Sequence, residues 1–255
     1  MSALSLSGAT ARLDRRAVLS GVDLHVLPGE VVALTGPNGA GKTSVIRALA
    51  GVLPLEAGEA RLDGLPLAHL SARERAQRAA WLPQDRRIAW NMPAVEVAAL
   101  GAPFLSGGEA RDRALEALME IDAGDLAARG VAEMSGGERA RVLFARFLTT
   151  GAPALMADEP AAGLDPDAQL LVMEVLRSRA EAGAAVLVSL HDLSLAARYA
   201  DRVVVIDHGR IAADGPPREA LAPAVLQAVF GVGGRWLETA QGPVLSTWRL
   251  GKPAG

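Results

Sequence analysis

Short runs of consecutive apolar residues alternate along the chain with segments whose apolar residues recur at helical spacing. The apolar runs are rich in Val, Leu, Ile and Ala, which predicts buried strands. The predicted strands are Val31–Thr35, Ala79–Pro83, Ala154–Asp158, Ala185–Leu190 and Val203–Asp207. The predicted helices between them are Lys42–Gly51, Asp167–Glu181 and Leu193–Ala200. Strands that alternate with helices indicate a parallel sheet covered on both faces, and therefore an α/β fold.

Two regions interrupt this alternation. The N-terminal stretch to about Val26, with a further strand near Glu59–Asp63, predicts a small antiparallel sheet at the side of the core. Residues 91–149 have almost no strand pattern. They contain two helical patterns instead, Ala110–Ile121 and Glu138–Leu148, which predict an inserted helical subdomain.

The tail beyond Phe230 predicts a short hairpin, with strands at Arg235–Glu238 and Val244–Leu250 joined across Gln241-Gly242-Pro243. The chain shows no repeat, low-complexity tract or linker, so we expect a single domain. We expect residues 1–90 and 150–230 to form the core with the antiparallel sheet. Residues 91–149 would form the helical subdomain and residues 231–255 the tail.

Composition agrees with helices packed closely on a sheet and excludes several classes of protein. Half of the 255 residues are hydrophobic, but only one Tyr, four Trp and four Phe are present, so Ala, Leu and Val must fill the core. The formal net charge is −3 with both signs mixed, which argues against nucleic acid as a partner. Cysteine is absent, which excludes disulfides and thiolate metal sites. Because no signal-peptide core and no apolar run of about 18 residues is present, we expect a soluble cytoplasmic chain.

A glycine-rich loop follows the first predicted core strand and opens the helix that begins at Lys42. It matches G-x-x-x-x-G-K-[ST] in full, and its residues, with the serine after them, are Gly36, Pro37, Asn38, Gly39, Ala40, Gly41, Lys42, Thr43 and Ser44. Glycines let successive backbone N–H groups curl around phosphate, and the helix N-terminus adds a favourable dipole. In such a P-loop, Lys42 reaches the β- and γ-phosphates and Thr43 binds Mg²⁺. A chance glycine-rich turn is the alternative, but the flanking strand and helix argue against it.

Two acids, Asp158 and Glu159, end the strand that begins at Ala154. We expect Asp158 to hold Mg²⁺ and Glu159 to act as general base toward the attacking water. Two structural acids at a strand end are the alternative. Carboxylates directly after a buried strand are costly to desolvate unless a cation is near, and the phosphate loop supplies one. The sequence therefore predicts an ATPase that uses ATP and Mg²⁺.

Further polar residues occur in a fixed order relative to these two motifs. They are Gln84 after the second core strand, Ser135, Gly136, Gly137 and Glu138 before a helix that leads to Asp158, Asp165 within Gly163-Leu164-Asp165-Pro166, and His191 after the fourth core strand. Together with the loop and the acid pair, this ordered set resembles the nucleotide-binding subunit of ABC transporters over nearly the whole chain. The resemblance implies a P-loop NTPase core with a side antiparallel β-subdomain and an inserted helical subdomain.

The resemblance assigns a role to each of these residues. Gln84 would contact Mg²⁺ and the attacking water, and His191 would hydrogen-bond the γ-phosphate. Ser135, Gly136, Gly137 and Glu138 would form a signature that binds the ATP held by the loop of a second copy, with Asp165 at the interface. Two copies would therefore enclose two ATP molecules and drive separate membrane permease subunits, with a periplasmic substrate-binding protein acting indirectly. The expected location is the cytoplasmic face of the inner membrane.

A second serine-glycine-glycine sequence, Leu105 to Glu109, looks closer to the family signature than Met134 to Glu138 does. Position decides between them. The later copy leads through one helix and a Gly-Ala-Pro turn into the Asp158 strand, as the family requires. We expect the earlier copy only to cap a helix that begins near Glu109.

The chain departs from the family pattern at several positions. Met134, Glu138 and Ala161 stand where Leu, Gln and a hydroxyl residue are usual. The aromatic residue that stacks on adenine in the family should lie near Leu13, but no aromatic residue is close to it. Leu13 or Arg15 would then supply a weaker contact to the base.

Three stretches, Leu70–Gln84, His191–Asp201 and Gly209–Phe230, look most similar to ATPases of iron-chelate (siderophore), haem and cobalamin importers. We expect the segment Asp85–Ala98 to dock the permease through the apolar side chains of Trp90 and Met92. The alternative is that both side chains pack within the helical subdomain. The alternatives to an importer of this group are the ATPase of another ABC transporter, including an exporter, and an ABC ATPase with no role in transport. The cargo itself is not encoded in this chain, because it would never contact it.

Overall fold

The computed structural model describes residues 3–85, 88, 90–240 and 242–250. Its strands are β1 (Leu4–Leu13), β2 (Arg16–Val26), β3 (Val31–Thr35), β4 (Ala57–Leu62), β5 (Leu65–Pro66), β6 (Ala79–Leu82), β7 (Ala154–Asp158), β8 (Ala185–Ser189), β9 (Arg202–Asp207), β10 (Arg210–Gly215), β11 (Val232–Thr239) and β12 (Gly242–Arg249). Its α-helices are α1 (Lys42–Leu49), α2 (Ala72–Arg78), α3 (Ala94–Ala99), α4 (Gly107–Glu120), α5 (Gly136–Thr149), α6 (Pro166–Glu181), α7 (Leu193–Tyr199), α8 (Pro217–Ala220) and α9 (Pro223–Val225). No helix in the described part of the chain combines the length and apolarity that a bilayer span requires.

The main sheet has the strand order β10-β9-β3-β8-β7-β6. The five predicted core strands are confirmed and pair in parallel, with ends that differ by at most one residue from the prediction. The edge strand β10, which runs antiparallel to β9, was not predicted. A two-residue turn of His208 and Gly209, both with positive φ (46° and 74°), makes this hairpin. That dipeptide was the sequence signal for β10.

The two faces of the main sheet are covered by different layers. Ala33 and Val188 point to the face that packs against α6, α7 and the helical subdomain. Leu34 and Leu187, one residue away in each strand, point to the face covered by α1 and a second sheet. Side chains alternate along a strand, so burial on both faces requires the continuous apolar runs seen in the sequence.

The second sheet is antiparallel, with the order β2-β1-β4-β5. Pairs such as Leu4 with Val26 and Leu4 with Leu62 align its strands around a shared apolar face. This sheet is the predicted side β-subdomain. The β1–β2 turn, Leu13 to Arg16, is one of its ends and extends toward the phosphate loop.

The helical subdomain is built from α3, α4 and α5, which pack on one another. Leu118 of α4 and Phe144 of α5 are fully buried there, and Phe144 packs beside Phe147 with ring centroids 5.7 Å apart. The earlier serine-glycine-glycine segment caps α4 as predicted: Ser106 and Glu109 form a capping box, and the helix begins at Gly107 rather than near Glu109. The tail hairpin of β11 and β12 is also confirmed and packs on α7 through the buried Leu245. Its turn is shorter than predicted, because Gly242 and Pro243 pair with Thr239 and Glu238 and belong to β12, while Gln241 lies outside the described residues.

Helix α2 was not predicted, although its sequence signal is clear. Ser71 caps its first turn and Glu74 accepts a hydrogen bond from the Ser71 backbone N–H at 2.8 Å, which is a complete capping box. Helix α1 ends at Leu49 rather than at the predicted Gly51, since Gly51 takes a left-handed conformation (φ 73°).

Arg202 connects the main sheet to the antiparallel sheet through its side chain. Its guanidinium pairs with Glu30 at 2.8 Å and with Asp214 at 2.7 Å, and donates a hydrogen bond to the His25 carbonyl at 2.8 Å. The side chains of Arg202 and Glu30 are each only 15% exposed, and that of Asp214 is half-buried. Removal of the guanidinium would therefore leave both carboxylates without their cation in a partly desolvated site.

We therefore expect Arg202→Met to lower the free energy of unfolding by about 3 kcal/mol, because it leaves two carboxylates unpaired. Arg61→Met is the matched control, since Arg61 pairs with Glu59 on the surface, where such pairs contribute about 1 kcal/mol or less. Urea denaturation followed by circular dichroism measures both. Equal losses in the two variants would contradict this role for Arg202.

Candidate functional site

The candidate site lies where the parallel strands end. The phosphate loop follows β3, Glu159 follows β7, His191 follows β8 and Gln84 follows β6. Parallel pairing in register places these carboxyl ends at the same edge of the sheet. Residues far apart in the sequence, from Lys42 to His191, are thereby brought into one cleft.

The cleft has a volume of about 950 Å³, which is at the large end of ligand pockets. Its lining residues come from the β1–β2 turn, the phosphate loop and the strand ends: Leu13, Asp14, Arg15, Arg16, Val18, Asn38, Gly39, Gly41, Lys42, Thr43, Ser44, Gln84, Glu159 and His191. Phosphate-loop residues, side chains at the strand ends and the β1–β2 turn therefore line the same cleft.

Close backbone contacts require glycine at two positions of the phosphate loop. Gly36 has φ 150°, and a Cβ there would lie 2.1 Å from the carbonyl oxygen of Ile206. Gly41 has φ 118°, and its Cβ would lie 2.8 Å from the carbonyl oxygen of Val18. The loop is therefore held between β9 and β2, and its shape depends on the absence of side chains there.

Lys42 folds back over this loop. Its buried ammonium donates hydrogen bonds to the carbonyl oxygens of Gly36 at 2.8 Å and Pro37 at 3.1 Å. Burial lowers the pKa of the Lys42 ammonium, and the carboxylates of Glu159 and Asp158 oppose that shift. The charge is thus directed at the space enclosed by the loop rather than at bulk solvent.

A serine that the sequence analysis did not single out organises the acid pair. The Ser189 hydroxyl donates to Asp158 Oδ1 at 2.6 Å and accepts from the Glu159 backbone N–H at 2.9 Å. Asp158 is buried, and its second oxygen, Oδ2, has no hydrogen-bond partner among the described residues. A hydroxyl near the end of an otherwise apolar strand was the available sequence signal for Ser189.

Glu159 is held from two directions. Gln84 Nε2 donates to its Oε2 at 2.9 Å, and His191 Nε2 contacts its Oε1. The Glu159 backbone is left-handed (φ 52°), a conformation that costs a non-glycine residue on the order of 1–3 kcal/mol. The structure thus brings the three predicted catalytic residues together, and their roles remain predictions.

The donor set at this edge fits a magnesium ion that also binds phosphate. The described residues contain no cluster of three or more acidic or imidazole groups that would hold a metal by themselves. One hydroxyl (Thr43), one amide (Gln84) and one carboxylate with an unpartnered buried oxygen (Asp158) are present instead. Mg²⁺ favours such a site, in which few protein oxygens leave positions for phosphate and water.

The signature residues lie outside this cleft. Ser135 caps α5 and its hydroxyl accepts from the Glu138 N–H at 3.2 Å, while Glu138 also pairs with Arg129 at 2.8 Å. Asp165 caps α6 by accepting from the Ala168 N–H at 3.0 Å. Within one chain, therefore, these predicted ATP-binding residues act as helix caps and do not meet the phosphate loop.

Comparison with known proteins identifies relatives of this chain. A protein-family profile described as "ABC transporter" matches residues 19–162. A hemin import ATP-binding protein of Streptomyces coelicolor is 45% identical over 88% of this chain and 81% of its own length. One from Nocardia farcinica is 48% identical over 84% of this chain and 76% of its own length. A dimeric ATP-binding cassette bound to ADP and phosphate in a post-hydrolysis state superposes with a TM-score of 0.75 at 26% identity, covering 84% of this chain and 99% of that one.

The glycine contacts predict different effects for two substitutions in the loop. Gly36→Ala should weaken ATP binding by about 100-fold or more, because the clash with the Ile206 carbonyl must displace the loop. Gly39→Ala is the matched control: Gly39 also has positive φ, but a Cβ added there would meet no atom within 4 Å, so only backbone strain of about 1–2 kcal/mol remains. Isothermal titration with ATP compares them, and equal losses would refute the proposed clash.

Proposed function

The chain belongs to the ABC transporter family, and from this premise we propose that it is the ATP-hydrolysing subunit of an importer for haem or a related iron chelate. The observation that carries the proposal is the 45% and 48% identity, over most of the chain, to two hemin import ATP-binding proteins. Siderophore and cobalamin uptake are the neighbouring cargo classes that the sequence patterns also fit. ATP hydrolysis supplies the free energy in each case.

We assign nucleotide binding to the phosphate loop. Backbone N–H groups from Gly36 to Thr43, together with the N-terminus of α1, would surround the phosphates. Lys42 would exchange its two carbonyl contacts for the β- and γ-phosphate oxygens, which are stronger acceptors because they are charged. Asn38 and Ser44 line the same cleft.

We assign the general base to Glu159. A base must lie within hydrogen-bond reach of the water that it deprotonates, and Gln84 and His191 both contact this carboxylate. Gln84 would orient the water and His191 would hydrogen-bond the γ-phosphate. Mg²⁺ would be held by Thr43, Gln84 and Asp158, and it would supply charge neutralisation at the phosphate oxygens.

A second copy of the chain would complete each site. Ser135, Gly136 and Gly137 begin the 14-residue helix α5, whose N-terminal N–H groups attract anions, and a Cβ at Gly136 would meet no atom within 4 Å. Such an open helix end can approach the γ-phosphate of a neighbouring subunit, with Glu138 and Asp165 beside it. The dimeric state of the solved cassette supports this arrangement.

We place the assembly on the cytoplasmic face of the inner membrane, bound to permease subunits and linked through them to a periplasmic binding protein. Trp90, in the proposed docking segment, is 73% exposed, which favours a partner contact over packing within the helical subdomain. Met92 is instead partly buried against the apolar core, as the alternative requires, so the proposed contact is made through Trp90. Arg86, Arg87 and Ala89 of that segment lie outside the described residues. In this scheme residues 1–90 and 150–230 bind and hydrolyse ATP, residues 91–149 transmit motion, and residues 231–255 form an accessory tail.

The two serine-glycine-glycine segments provide a direct test of the interaction in trans. Ser106 and Ser135 cap α4 and α5 through the same capping box, so replacing either by Ala should cost about 1 kcal/mol of stability. We expect Ser135→Ala to lower ATP turnover by about tenfold or more, because one donor to the γ-phosphate is lost, and Ser106→Ala to leave it unchanged. Steady-state phosphate release and thermal unfolding are measured on both variants. Equal turnover in the two would exclude the assigned signature.

Uptake by cells lacking this chain tests the transport function. Labelled haem, ferric siderophore and cobalamin are supplied separately, and the cells are complemented with the native chain or with Glu159→Gln. We expect haem uptake to be lost and to return only with the native chain, since removing the base should slow hydrolysis by about 10²–10⁴-fold without preventing ATP binding. Unchanged haem uptake, with loss of another solute or of export, would reassign the cargo.

A further inference from the structure

Ser189 ends strand β8, whose other residues are all Ala, Val or Leu. The serine is fully buried, and it lies directly opposite Asp158 of β7 in the parallel pair. Leu187 and Met156, which come two positions earlier in these strands, belong to the face covered by α1. Because side chains alternate along a strand, Ser189 and Asp158 point to that same face, where Thr43 lies in the first turn of α1.

Both side-chain hydrogen bonds of Ser189 go to the acid pair. A serine hydroxyl has one hydrogen to donate, and Ser189 donates it to Asp158 Oδ1 at 2.6 Å. Its oxygen accepts from the Glu159 backbone N–H at 2.9 Å. A buried hydroxyl costs free energy unless it is hydrogen-bonded. These are its only side-chain partners in the described part of the chain, so the hydroxyl contributes to the structure through the two acids.

The donated bond orients the Asp158 carboxylate. It occupies Oδ1 and leaves Oδ2, which is buried and has no hydrogen-bond partner among the residues described. Rotation of the carboxylate would exchange the two oxygens, but it would break a short hydrogen bond in a buried site. Carboxylates that bind metals are commonly oriented by a hydrogen bond of this kind. Ser189 therefore selects Oδ2 as the oxygen that remains for the metal.

The accepted bond stabilises the Glu159 backbone. The φ of Glu159 is 52°, in the left-handed region that residues other than glycine seldom adopt. Gln84 and His191 contact the carboxylate at the other end of the side chain. The Ser189 oxygen thus holds the backbone from which this side chain extends, while the flanking residues hold its carboxylate.

We propose that Ser189 is a positioning residue that serves metal binding and hydrolysis through separate hydrogen bonds. Its donated bond prepares Asp158 for Mg²⁺, and its accepted bond prepares Glu159 for the attacking water. The inference rests on the proposed roles of these two acids and on nothing about the cargo. Because the two bonds go to different residues, loss of the hydroxyl has two consequences that can be measured separately.

Two substitutions isolate the hydroxyl. Ser189→Thr and Ser189→Val place side chains of nearly the same size and branching in the buried site, and only threonine retains the hydroxyl. The difference between them therefore measures the hydroxyl and not the added methyl group. Thr149→Val is the matched control, because Thr149 is also fully buried and its hydroxyl donates to the Ala145 carbonyl at 2.8 Å, within α5. Ser189→Ala, which needs no added space, repeats the comparison with the native chain if the branched pair fails to fold.

Isothermal titration with ATP, in Mg²⁺ and in EDTA, tests the bond to Asp158. Every chain carries Glu159→Gln in this measurement, so that hydrolysis is slow. In Mg²⁺ we expect valine to weaken ATP binding by about tenfold relative to threonine, because the bond that orients Asp158 is lost. In EDTA the two affinities should agree within about twofold, because no contact of the phosphate loop has been removed.

Steady-state phosphate release at saturating ATP and Mg²⁺ tests the bond to Glu159. We expect turnover to be about 10- to 100-fold lower with valine than with threonine. In chains that also carry Glu159→Gln, this difference should shrink to within about twofold, because the residue through which Ser189 acts is already disabled. Thr149→Val should change neither turnover nor affinity by more than about twofold.

Three results would overturn the inference. Equal turnover with threonine and with valine would show that the hydroxyl is not needed. Equal weakening of ATP binding in Mg²⁺ and in EDTA would show that the substitution distorts the cleft as a whole. An undiminished valine effect on turnover in the Glu159→Gln background would show that Ser189 acts through another residue. Full turnover in Glu159→Gln alone would instead contradict the proposed function, so the two failures are distinguishable.

Discussion

Parallel pairing of β3, β8, β7 and β6 is the constraint on which the rest of the structure depends. Each strand contributes one polar group at its carboxyl end, and the register of Asp158 opposite Ser189 fixes the relative height of those ends. The Ser189 hydroxyl then joins both acids, and Gln84 and His191 reach Glu159 from the flanking strands. A slip of one residue in any pair would turn these side chains to the other face of the sheet. The apolar runs that hold the register are thus as necessary to the site as its polar residues.

Much of the fold was predictable because burial leaves a strong pattern. Strands buried on both faces must be continuously apolar, so Val31–Thr35 and Ala154–Asp158 were predicted with the bounds that the structure shows. The phosphate loop was predictable for a different reason. Glycine is required where the backbone of the loop lies so close to neighbouring carbonyl groups that a Cβ atom would not fit. The grouping of Gln84, Glu159 and His191 in one site was also predictable, because each of them follows the carboxyl end of a parallel strand.

Strands and helices at the edges of the fold were harder to predict, because exposed positions do not need the apolar residues that mark buried ones. Strand β10 alternates between exposed and half-buried residues, so it has no apolar run, and only the His208-Gly209 turn marks it. Helix α2 buries no residue fully, and its sequence signal is confined to the Ser71–Glu74 capping box. Ser189 was missed because a single hydroxyl in a strand is equally compatible with a structural role.

The capping boxes of α4 and α5 are so similar that local structure alone does not distinguish their functions. Ser106 and Ser135 have the same backbone conformation within about ten degrees, each accepts from the third residue of its helix, and each is followed by two glycines with no need for glycine in their own packing. They differ in the elements to which their helices connect, since α5 leads directly to β7 and the acid pair, whereas α4 leads back into the helical subdomain. Helix α5 is therefore joined by one short connection to the strand that carries Asp158, whereas α4 contacts that part of the chain through its packing on α5. Assignment of the signature to Ser135 thus depends on the connection between elements, which neither motif contains by itself.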